Sequence, residues 1–112
     1  MIAKAPLPGK AKTRLIPELG AEGAALLARA CLEDTLRAIA ETPALRRVLV
    51  LDGEAGSWLP DAGFEIMPQR DGGLDARLAG AFEDSGAAPA VLVGMDTPQI
   101  NHGLMTAAIE SL

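Results

Sequence analysis

Tyrosine is absent from this sequence, and one tryptophan and two phenylalanines are its only aromatic residues. A core must then come from aliphatic side chains, and 49% of the chain is hydrophobic, with alanine, leucine and glycine dominant. That composition excludes a disordered tail and fits small-residue helices packed on a sheet. A single cysteine, Cys31, excludes an internal disulfide. Inside an Ala/Leu-rich helical stretch it reads as a buried, inert thiol, with a reducing, cytoplasmic setting as the default. No apolar run approaches the length of a membrane span. Nor do the first residues form a signal peptide, since Lys4 leads into Pro-Gly-Lys and not into an apolar segment.

Positive charge is scarce and unevenly placed. The net charge is −5, which argues against general nucleic-acid binding. Yet all three lysines (Lys4, Lys10, Lys12) and Arg14 precede the first acid, Glu18. A locally positive loop on a negative protein suits one small polyanion better than a duplex.

The 112 residues allow one domain, without repeats or linkers. Ala25, Ala28, Leu32, Leu36 and Ile39 form a helical stripe within 21–41, stopped by Thr42-Pro43. Residues 47–52, Arg-Val-Leu-Val-Leu-Asp, suit a strand covered on both faces. A turn-rich stretch follows, in which Trp58 is expected to anchor the loop. Residues 64–67 predict a short strand closed by Pro68, and 74–84 a helix with Leu74, Leu78, Ala81 and Phe82 on one face. Residues 90–94, Ala-Val-Leu-Val-Gly, read as the clearest buried strand, and Asn101 can cap a last helix carrying Leu104, Ala108 and Leu112. Strands alternating with helices predict a three-layer α/β/α sandwich, Rossmann-like, with a mostly parallel sheet. Both ends read as cut, so the expectation is a single partial nucleotide-binding domain over 1–112. Such a piece is expected to be marginally stable or oligomeric.

Ligands in parallel sheets sit at the carboxyl ends of the strands. Three segments fall there. In the first, two prolines and Gly9 fix a stiff basic loop whose N–H groups can face phosphate oxygens, with Lys12 and Arg14 supplying charge. The same residues also read as a solvated loop, and they match neither a Walker A nor a dinucleotide-binding glycine pattern. In the second, Asp96 ends the 90–94 strand, where a carboxylate can bind Mg²⁺ or Mn²⁺ or cap the Thr97-Pro98 turn. In the third, Gln69-Arg70-Asp71-Gly72-Gly73-Leu74 is either a plain turn or a segment whose Gln69 meets a nucleobase edge. Arg77 reads as structural, paired with an acid on its own helix, and His102 as a surface residue.

In order along the chain stand Ala3-Lys4-Ala5-Pro6-x-Pro8-Gly9-x-x-Lys12-Thr13-Arg14-Leu15, Asp34-Thr35-Leu36, Gln69, Gly72, Leu74, Arg77-Leu78 and Val93-Gly94-x-Asp96-x-Pro98. This pattern resembles the bacterial glycosyltransferase-like family with the nucleotide-diphospho-sugar transferase (GT-A type) fold. It is similar, more distantly, to 2-phospholactate guanylyltransferases and molybdenum-cofactor nucleotidyltransferases. The resemblance implies a transferase acting on a nucleotide or nucleotide-sugar. By it, Pro8, Gly9, Lys12, Thr13 and Arg14 meet the phosphates, Gln69 and Gly72 lie toward the base, and Asp96 binds Mg²⁺ or Mn²⁺. The family commonly has Gly-Asp-Leu-Gly-Glu-Arg where this chain has Gly72-Gly73-Leu74-Asp75-Ala76-Arg77. No catalytic residue follows from this half of the pattern. Nucleotidyl transfer and a non-catalytic nucleotide-binding remnant are the alternatives.

Overall fold

A computed structural model describes residues 1–9, 16–86, 88–94 and 101–112, without the side chains of Ile16 and His102. The elements run β1 (Ile2–Lys4), α1 (Ile16–Ala40), β2 (Val48–Asp52), β3 (Glu65–Pro68), α2 (Leu74–Asp84) and α3 (His102–Glu110). Among the described residues the strands form one parallel sheet in the order β1-β2-β3. The register sets Lys4 opposite Asp52 and Leu51 opposite Pro68. Because every strand runs the same way, all the carboxyl ends emerge on one edge.

The consecutive apolar residues of β2 are its fold signal. Leu49, Val50 and Leu51 are all buried, as a central strand covered on both faces requires. Alternation sends Leu49 and Leu51 to one side, where they join Ala3, Ala5, Leu32, Leu36 and Trp58 in the core. Trp58 thus fastens the turn-rich segment after β2 into that core, as expected. Val48 and Val50 line the opposite side, along a hollow of ≈ 330 Å³ that Phe82 of α2 and Met105 and Ile109 of α3 also border. Helices therefore stand on both faces of the sheet.

α1 is two helical pieces joined at Gly20, whose φ of 74° and ψ of 165° are non-helical. The second piece therefore starts at residue 21, where the sequence places it, and buries Ala25, Ala28, Leu32 and Leu36, with Ile39 half-buried. It ends at Ala40, and just beyond it the Thr42 hydroxyl donates to the Ala38 carbonyl at 2.8 Å. Arg47 then reaches back to the carbonyls of Ile39 (3.2 Å) and Thr42 (2.8 Å), satisfying acceptors and placing a cation at the negative helix end. The Asn101 side chain caps α3 by accepting from the Leu104 amide at 2.9 Å.

Four expectations need correction. Residues 90–94 form no strand: Val93 is buried and its carbonyl accepts from the Ile2 amide at 3.0 Å, but Ala90 is exposed. One bond to a three-residue β1 lays this segment beside the sheet without building a ladder. The predicted face of α2 is only partly covered, with Leu74 60% and Phe82 46% exposed while Gly80 and Ala81 are buried. In α3 the buried residue is Met105, and Leu104 is exposed. Cys31 is half-buried, since it lies beside the α1 stripe and not within it.

Candidate functional site

The basic loop leaves β1 at the carboxyl edge of the sheet. The Ala5 amide donates to the Asp52 carbonyl at 2.8 Å, the last parallel bond, and the Leu7 amide then turns back to the Ala5 carbonyl at 2.9 Å. Prolines at 6 and 8 stiffen the turn, and Gly9 adopts a φ of 79°. Leu7, Pro8 and Gly9 are exposed while Pro6 is half-buried, so the loop stands out from a fixed base. The base is tight: Gly53 has a φ of +117°, and a Cβ there would lie 2.7 Å from the Ala5 Cβ. Lys12, Thr13 and Arg14, expected at the phosphates, and Asp96, expected at the metal, lie outside the described residues.

Beside that base, at the ends of β2 and β3, lies a polar cleft of ≈ 170 Å³ lined by Asp52, Gln69, Arg70, Asp71, Gly72 and Arg77. β3 ends at Pro68, and the Gln69 amide continues the pairing by donating to the Leu51 carbonyl at 3.1 Å, which starts the Gln69 side chain at the cleft. Its Nε2 donates to the Ala3 carbonyl at 3.2 Å and its Oε1 accepts from Arg77 Nη1 at 3.0 Å. The Arg77 Nε is buried without a hydrogen-bond partner. Arg77 was expected to pair with an acid on its own helix; its side-chain bond instead goes to Gln69, because the start of α2 points it toward the end of β3.

Arg70 closes the other wall. It donates to both Asp84 oxygens (2.6 and 3.1 Å) and to Glu83 (3.0 Å), clasping the far end of α2. The absent side chain of Gly80 makes room, since a Cβ there would fall 2.4 Å from the Arg70 Cδ. The hydrogen bonds from Arg70 hold the Asp84 carboxyl below its ordinary range. Arg70 is engaged on two acids, and Arg77, Asp52 and Asp71 stand with it among the walls of the cleft. Such walls can hydrogen-bond a planar polar group from both donors and acceptors. Among the described residues no group of three or more His, Cys, Asp or Glu is arranged to hold a metal ion.

The structure thus brings Gln69 and Gly72 together in one cleft, while Pro8 and Gly9 are not among its walls. Asp52 was missed as a site residue, although the same rule that singled out Asp96 (an acid ending a buried strand) applies to it. The larger apolar hollow borders Met1 and Val48, at the amino ends of the strands, away from these groups. No described helix is long and apolar enough to cross a membrane.

Residues 35–112 match the family DUF2064, described as "Uncharacterized protein conserved in bacteria". A crystal structure of a "putative nucleotide-diphospho-sugar transferase" from Desulfovibrio desulfuricans G20 matches with a TM-score of 0.78 and 29% sequence identity. The match covers 98% of this chain and 52% of that one, so the chain spans about half the length of the solved structure. No curated protein matches.

Proposed function

We propose that this chain, which belongs to the DUF2064 family, is the nucleotide-holding part of a glycosyltransferase-like enzyme that uses a nucleotide-diphospho-sugar. The observation that carries the reading is the likeness to the Desulfovibrio protein across 98% of this chain. A polar cleft at the carboxyl ends of parallel strands, where such sheets bind ligands, supports it.

In this reading Pro8, Gly9, Lys12, Thr13 and Arg14 hold the diphosphate. The prolines pre-set the loop, so little freedom is lost on binding, and Arg14 can grip two oxygens at once. Gln69 and Gly72 meet the base, the glycine by leaving the backbone open to a flat ring. Asp96 supplies a carboxylate, the hard oxygen ligand that Mg²⁺ and Mn²⁺ take, and the ion when bound neutralises charge on the departing diphosphate. Nucleotidyl transfer, the reaction of the guanylyltransferases and molybdenum-cofactor enzymes that the loop resembles, needs the same phosphate-holding half. The two are separated by their products: a nucleoside diphosphate for glycosyl transfer, pyrophosphate for nucleotidyl transfer.

The test is calorimetric titration with UDP and GDP at low and high salt, with and without Mn²⁺. Binding should weaken with salt, and Arg14→Ala should cost about 1.5–3 kcal/mol, the range for a hydrogen bond to a charged group. Asp96→Asn keeps the shape but removes the charge, so it should abolish the Mn²⁺ enhancement and leave metal-free binding nearly intact. Wild-type binding that ignores both salt and Mn²⁺ would overturn the reading.

A further inference from the structure

The amide of Gln69 is held at both ends by partners of opposite kind. The Ala3 carbonyl can only accept, and it takes a hydrogen from Nε2; the Arg77 guanidinium can only donate, and it gives one to Oε1. Turning the amide over would set oxygen against oxygen at Ala3 and N–H against N–H at Arg77. The two partners together therefore permit one orientation. They come from separate elements, β1 and α2, so no local movement of the turn carries both along. Both side chains are half-buried and both line the cleft.

A primary amide has two N–H donors and two oxygen lone pairs. After these two bonds, one donor and one acceptor remain for a molecule that enters. Nucleobases present the matching pair on their pairing edge in two senses. Uracil and guanine carry an exocyclic oxygen beside a ring N–H, whereas cytosine and adenine carry an exocyclic amine beside a ring nitrogen. An amide that can turn over serves both senses. An amide that cannot serves one of them in a given pose and leaves buried polar groups unpaired with the other, which is where large discrimination arises.

We infer that Arg77 is a positioning residue: by fixing the Gln69 amide, it makes the cleft distinguish keto bases from amino bases. This rests on the nucleotide reading above. The role assigned to Arg77 is exerted through its hydrogen bond to Gln69.

The experiment is calorimetry of the 112-residue chain with UDP against CDP and with GDP against ADP. In the wild type, at least one pair should differ by about tenfold or more, equivalent to about 1.4 kcal/mol. In Arg77→Met, which keeps the length and loses the donors, that ratio should shrink to about threefold or less, because the amide is then held at one end only, by the Ala3 carbonyl. Arg77→Lys retains one donor and should hold part of the ratio. A purely structural role for Arg77 would weaken both members of a pair alike and leave the ratio unchanged, which would overturn the inference. Should Arg77→Met not fold, Gln69→Met removes the amide itself and must collapse the ratio in the same way. A wild type that binds all four nucleotides within about threefold overturns the lock but leaves nucleotide binding standing. Failure to bind any of the four overturns both.

Discussion

Replacing Gly53 by alanine tests whether the basic loop is seated as tightly as its contacts imply. Two costs add. At φ +117° an L side chain is strained, which is worth roughly 1–3 kcal/mol. The new methyl would also sit 2.7 Å from the Ala5 Cβ, 3.7 Å from its nitrogen and 3.8 Å from its Cα. The nearest of these atoms is part of a buried residue tied to Asp52 by a 2.8 Å backbone bond, so it cannot swing aside. Overpacking of that kind costs about 1–3 kcal/mol. Together the substitution should destabilise the chain by roughly 2–6 kcal/mol. Ala5→Gly deletes the methyl that is struck, at its own cost of about 1 kcal/mol. The double variant should then recover the steric part and keep the strain, giving a coupling of about 1–3 kcal/mol. Urea unfolding of the four proteins, followed by far-UV circular dichroism, measures it. Additivity to within about 0.5 kcal/mol would refute the claim that these two positions meet. In Gly53→Ala, nucleotide affinity should fall even under conditions where the protein is fully folded, because the root of the loop is displaced.

In the 112-residue chain, prepared with a free amine at Met1, stability should also depend on pH. Burial lowers the Met1 amine from its ordinary 8.0 to about 6, while the same nitrogen donates to the Val48 carbonyl at 2.7 Å. Between pH 6 and 8 the unfolded chain then holds a proton that the folded chain does not. Unfolding free energy should rise across that window by up to roughly 2–3 kcal/mol. Acetylation of the Met1 amine should remove that slope in denaturant titrations at pH 6 and 8. In the core, Leu32 is 0% exposed and Leu26 on the same helix is 69% exposed. Leu32→Ala should cost about 2–5 kcal/mol, and Leu26→Ala should stay within about 0.5 kcal/mol; equal shifts in Tm would contradict the packing described. Asn101→Ala should cost about 0.5–2 kcal/mol through loss of the α3 cap, with faster amide exchange at Leu104 as its local signature.

Residues that act through their own segment were legible without the fold. The run of β2 is buried on both faces because three consecutive apolar residues have no other use, and that could be read directly from Val-Leu-Val-Leu. The second piece of α1 follows its three-to-four spacing, and Asn101 caps α3 by a bond to a residue three places on. Each of these is a short-range consequence of side-chain period or backbone valence. The parallel α/β class followed from the alternation of such pieces. The carboxyl-end rule then pointed to the turn after β3, where Gln69 and Gly72 do share a cleft. What the sequence did not contain is who meets whom across distance. Arg77 shares α2 with Asp75, Glu83 and Asp84, none of them three or four residues away, and it bonds Gln69 because strand direction and helix placement bring the end of β3 to it. Asp52 becomes a cleft wall only when β2 and β3 are set side by side. Residues 90–94 look like a core strand in composition, but burial needs a partner on each side, and the neighbour available to them, β1, is three residues long. Local preference is set by bonds within a few residues; the cleft, its locked amide and its uncovered faces are set by packing between elements, which only the assembled chain decides.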